Sequence, residues 1–127
     1  MRRESGFTLI SVLIAMVLLS VGIMALARAG GEVIAARSTA SIKVNALAIA
    51  RAHIERIRAQ PPQDVKAEAP VQVDESGLMN SGGAYTRTVI VDALDPTLIR
   101  VKVQVDYPRA TLPVELVTLI YIPPVPT

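Results

Sequence analysis

Apolar residues run without a charge or a proline from Gly6 to Ala27, GFTLISVLIAMVLLSVGIMALA. At ~1.5 Å per residue, a helix over Phe7–Ala27 reaches roughly 32 Å, enough to cross a hydrocarbon core of about 30 Å. Beyond Arg28 the apolar positions thin to a period. Val44, Leu47, Ile54 and Ile57 recur at three- and seven-residue spacing, with Ala40 and Ala50 on the same side, which predicts an amphipathic helix. No proline interrupts the chain until Pro61-Pro62. One helix of roughly 80 Å is therefore expected from Phe7 to about Ala59, first membrane-embedded and then amphipathic. Gly30-Gly31 is its expected weak point, each glycine costing about 1 kcal/mol against alanine.

The pattern changes period after a connecting stretch rich in Pro, Gly, Ser and acids, residues 60 to 83. Val71–Val73 reads there as a short edge strand and the rest as loop. From Leu98 to Tyr107 the alternation is strict. Ile99, Val101, Val103 and Val105 face one way, and Arg100, Lys102, Gln104 and Asp106 the other. Tyr85–Ala93 and Val114–Ile122 flank it as further strands, with turns at Asp95-Pro96 and between Pro108 and Pro113. Short connections predict an antiparallel meander of three or four strands, its apolar face covered by the helix stripe. The expected class is α+β. Its segments are a leader (1–6), a membrane helix (7–27), an amphipathic continuation (28–60), and a loop with the sheet (61–127).

Arg2 and Arg3 precede the span, so the N-terminal side is expected in the cytoplasm and the rest outside it, with Arg28 as a weak counterweight. The span carries twelve Phe, Leu, Ile or Val residues. They contribute at most about −4 to −7 kcal/mol to insertion, a modest hold. An ordinary secretory signal places its small cleavage-site residue after the apolar run. Here the small residue, Gly6, comes before it, so cleavage there would leave the helix on the product.

Composition narrows the chemistry. The 127 residues include no cysteine, which excludes disulfides, thiolate zinc sites, Fe–S clusters and thiol catalysis. Net charge is only +2, with three Tyr and one Phe, too little for a stacking surface on single-stranded nucleic acid. His53 is the single histidine, and Ile49 and Ile57 occupy its i±4 positions, so a solvated or packing role is expected rather than a catalytic or metal one. Arg28–Arg58 holds six Lys or Arg against two acids. It could touch DNA, lipid headgroups or an acidic partner, but a solvated helix face is the plainer account. Asp74, Glu75, Asp92 and Asp95 match no calcium-loop spacing and read as surface acids. Ser11 and Ser20 lie in the span without a base, so neither can serve as a nucleophile. No acid–base set converges between residues 28 and 127, and no cofactor or metal is expected.

Gly6-Phe7-Thr8-Leu9-Ile10 followed by an unbroken apolar helix resembles the prepilin N-terminus of type IV pilins and type II secretion pseudopilins. The stretches VLIAMVLLSVGIMALARAG and LIRVKVQVDYP…VELVTLIYIPP resemble the minor-pilin group that includes PilV and GspI. The resemblance implies cleavage between Gly6 and Phe7 by a prepilin peptidase and methylation of the new Phe7 amine. It also implies extraction from the inner membrane by an assembly platform, into a filament with other pilins or pseudopilins. The family usually has Glu five residues into the mature chain; this chain has Ser11. That acid would neutralise a neighbour's terminal amine, and an isolated charge in low dielectric is costly. Its loss suggests a subunit near the filament tip. The implied role is structural, not enzymatic. A plain membrane-anchored binding module and a minor pilin serving DNA uptake are the alternatives.

Overall fold

The computed structural model describes residues 4–126, with side chains from Thr8 onward. Met1–Arg3, which include the orienting Arg2 and Arg3, and Thr127 lie outside the described residues. Helix α1, Glu4–Arg58, is continuous. It starts three residues before Phe7 and ends one before Ala59, at the approach to Pro61-Pro62. Gly30 and Gly31 do not break it, and a Cβ at either would meet nothing within 4 Å. Two glycines at ~1 kcal/mol each cost too little to open a hydrogen-bond ladder set among good helix formers. A short 3-10 turn, Pro62–Asp64, follows.

The chain forms two compact units, Met1–Ser38 and Thr39–Thr127. In the first, every residue from Thr8 on is exposed. The second contains the sheet: β1 (Glu68–Val73), β2 (Tyr85–Asp95), β3 (Leu98–Asp106) and β4 (Val114–Tyr121), in the order β1-β2-β3-β4. All neighbours pair antiparallel, as a meander requires. The α+β layout is the expected one. β1 is longer than Val71–Val73, because pairing resumes on the far side of an irregularity between Glu68 and Val71, beside Pro70. β2 continues two residues past Ala93, with Asp95 pairing to Leu98 after a second shift.

β3 lies between β2 and β4, and its Ile99, Val101, Val103 and Val105 are buried as the alternation predicts. The helix row that joins this core is the expected one in part: Ala50, Ile54 and Ile57 are in it, whereas Ala40, Val44 and Leu47 are not. Ala46, Ile49, Ala50, Ile54 and Ile57 are buried, at i, i+3, i+4, i+8 and i+11. Val44 is 62% exposed, Ala40 is exposed and Leu47 half-buried. The two rows share Ala50, Ile54 and Ile57 and part company in the turns before them, where Ala46 and Ile49 are buried in place of Val44 and Leu47. Two glycines shape the loop after β1. Gly77 has φ +82°, and a Cβ on Gly83 would overlap the Val73 backbone carbonyl.

Candidate functional site

The helix from Thr8 to Ala27 is apolar on every side. A surface helix of a globular domain keeps a polar face; one that is hydrophobic all round belongs in a core or a bilayer. Leu9, Leu13, Val17 and Met24 are all more than half exposed, and so are their neighbours on the other faces. The helix is long and apolar enough to cross a membrane. Its polar side chains do not spoil that: Ser20 Oγ donates to the Met16 carbonyl at 2.7 Å, one turn back. Ser11 is exposed on the same helix. Gly6 and Phe7 lie in the first turns of α1 by backbone.

Residues 1–27 match the family model for the prokaryotic N-terminal methylation motif. The chain carries the N-terminal signature of the type IV pilins. That motif is a prepilin peptidase cleavage site, and type IV pilins are structural subunits. A single apolar N-terminal helix fits the single-pass membrane anchor of a pilin. No curated protein and no solved structure matches the chain.

In the second unit of the chain, the polar side chains converge at one place. Arg87 lies on the inward face of β2 between Tyr85 and Val89, and its side chain is only 4% exposed. Glu68 of β1 receives it at both oxygens, from Nε at 3.1 Å and Nη2 at 2.9 Å, while Nη1 donates to the Gly77 carbonyl at 3.1 Å. His53 Nε2 approaches Glu68 Oε2 at 3.5 Å. His53 stands at i+7 from Ala46, on the buried face of α1, with its side chain 13% exposed. Its partner comes from the sheet, not from i±4, so inspection of the helix alone misses it. The signal in the sequence was an arginine at an inward position of β2.

This cluster ties helix, sheet and loop together; it has no reactive set. Ser76, near the histidine, spends its hydroxyl on Asp74 Oδ1 at 2.6 Å. Asp74 also accepts from the Ser76 and Leu78 amides at 2.9 and 3.0 Å, and these bonds, the Ser76 hydroxyl first, hold its carboxyl below the usual range. Asp92 pairs with Arg100 at 2.9 Å, and Glu75 and Asp95 are exposed. The four acids weighed as a calcium site are thus not brought together, and among the described residues no three His, Asp or Glu side chains are placed to hold a metal. Along Arg28–Arg58 the basic side chains are exposed, with Arg58 turned to Glu55 and to Thr118 Oγ1 on β4.

Burial lowers the His53 pKa, aided by Arg87 and opposed by Glu68. Nδ1 is also buried without a partner. Protonation of His53 is therefore harder in the folded domain than in the unfolded chain, which takes up a proton below about pH 6.5. Stability contributed by this site is full above that value and falls as the pH drops through it. Thermal unfolding at pH 7.5 and 5.5 should show a larger loss for wild type than for His53→Gln. Equal losses would remove His53 from the acid sensitivity.

Proposed function

We propose that the protein is a minor type IV pilin or pseudopilin, cut between Gly6 and Phe7, methylated on the Phe7 amine and incorporated into a pilus or secretion filament. The carrying observation is the methylation motif over residues 1–27, which from Thr8 on is an exposed, all-round apolar helix. Cleavage before such a helix discards the basic leader and keeps the hydrophobic segment, which serves first as anchor and then as packing surface. In this reading residues 1–6 are leader, 7–27 membrane and filament-core helix, 28–60 its continuation and 61–127 the displayed domain. Its partners are the prepilin peptidase, an inner-membrane assembly platform, lipid and other pilins. The leader faces the cytoplasm and the sheet domain lies outside it.

Intact-mass and N-terminal analysis of the protein from membranes tests this. A start at methylated Phe7 is expected; an intact Met1 would make the segment a plain anchor.

Ser11 supports a narrower placement. A subunit without the acid cannot neutralise the terminal amine of a neighbour inside the low-dielectric helix bundle. The end of the filament is where that service is not needed. Immunogold labelling should find the wild-type protein at filament ends and Ser11→Glu along the shaft as well. Abundant wild-type label along the shaft would end the tip assignment.

A further inference from the structure

The hairpin between β3 and β4 closes through a turn whose backbone and side chain disagree. Val105 pairs with Val114 at its base, and the Ala110 amide donates to the Tyr107 carbonyl at 3.3 Å. Pro108 and Arg109 are then the two central residues. Proline suits the first position, whereas a positive φ at the second is the type II arrangement that glycine adopts freely. Arg109 takes that second place with φ 66°, the one non-glycine residue of positive φ among the described residues. Residues held in such sparsely populated conformations cluster at ligand clamps, active sites and switch regions.

The Arg109 side chain is also uncommitted. From Tyr85 onward the other basic residues each have a carboxylate: Arg87 has Glu68, Arg100 has Asp92 and Lys102 has Glu115. Arg109 is exposed and among the described residues pairs with no acid, Asp106 three positions back included. Leu112, on the same turn, is 76% exposed, and among the large apolar side chains of this unit only Val125 in the tail is more so. Pro108 and Pro113 flank the pair and fix two backbone torsions, so the turn has little freedom to lose on contact.

We propose, resting on the reading of this chain as a filament subunit, that the turn is a contact point for a neighbouring subunit. Arg109 meets a carboxylate of that neighbour, and Leu112 an apolar recess beside it. Size and charge select this occupant. A turn of this length covers only a small part of the about 1,000 Å² that an interface standing alone requires. It adds to an association only where another part of the chain already holds the partner close, and the apolar N-terminal helix is that part. One arginine and one leucine would not retain a partner free in solution. A subunit alongside is retained before the turn engages it, and the free guanidinium decides that the group engaged is an acid.

Competition within one cell tests this. Wild-type chain and a variant are produced together, and mass spectrometry compares their ratio in sheared filaments with their ratio in the membrane. Arg109→Gly should be depleted from filaments about two- to fivefold, the range of an exposed ion pair. Relief of the positive φ should at the same time raise its unfolding temperature in detergent above that of wild type, which separates the loss from misfolding. Arg109→Lys, which keeps both charge and strain, should stay close to wild type. Arg109→Glu should be depleted more than Arg109→Gly, because it sets like charges together, and Leu112→Ser should be depleted as well. Equal representation of Arg109→Gly, or better representation of Arg109→Glu than of Arg109→Gly, overturns the contact and leaves the filament reading standing. Wild-type chain that never reaches filaments overturns both.

Discussion

Membranes of cells producing a Gly6→Leu variant are expected to contain full-length precursor and no chain starting at Phe7. A peptidase that cuts next to Gly6 must approach the backbone closely, and a side chain there stands in its way. The variant alters neither the apolar run nor the sheet domain, so insertion and folding should be unchanged. Immunoblots that separate precursor from mature chain give the readout, with the loss of the mature band close to complete. Processing at the wild-type rate would sink the assignment of the cleavage position. A partial slowing would still locate the peptidase at this bond, because the effect depends on proximity to the scissile backbone.

Glu68→Ala should destabilise the sheet domain by about 3–5 kcal/mol, the range for breaking a buried ion pair from one side. The reason lies in the asymmetry of the pair. Arg87 is 4% exposed and Glu68 22%, so removing the carboxylate strands a guanidinium that water cannot reach. Removing the guanidinium strands a carboxylate that water can partly solvate. Arg87→Met, which keeps the length of the side chain and deletes its charge, should therefore cost clearly less than Glu68→Ala. Chemical denaturation of the two variants decides this. A smaller loss for Glu68→Ala would mean that Arg87 finds other solvation, and the cluster would lose its role as the clamp between β1, β2 and the Gly77 turn.

Much of this fold is legible in the chain because its signals are local. Ile99, Val101, Val103 and Val105 alternate with charges, and one face of a strand is the only arrangement that buries all four. The apolar run to Ala27 and its leader are legible for the same reason: length, charge and order lie within one segment. The helix row was harder. Ala50, Ile54 and Ile57 belong to the expected stripe and are buried, but Val44 and Leu47 are more hydrophobic than Ala46, yet Ala46 is the residue that is fully buried. Nor could local pattern reveal that Glu68 and Arg87 meet. They are brought together by the pairing of β1 with β2, and that pairing includes a register slip at Pro70 that no period predicts. His53 was read from its own helix, while its partner belongs to the sheet.

The core also has an order of assembly. Each β-hairpin of the meander closes between neighbours in sequence, so the sheet can form from short-range encounters. The inner row of α1 cannot. Ile49, Ile54 and Ile57 share their core with Val101, Val103 and Val105, residues that are synthesised long afterwards. Until β3 arrives, that row stands as a strip of bare isoleucine. The window is one of vulnerability to aggregation, and its length is set by how soon β3 follows the helix, not by the stability of the finished domain.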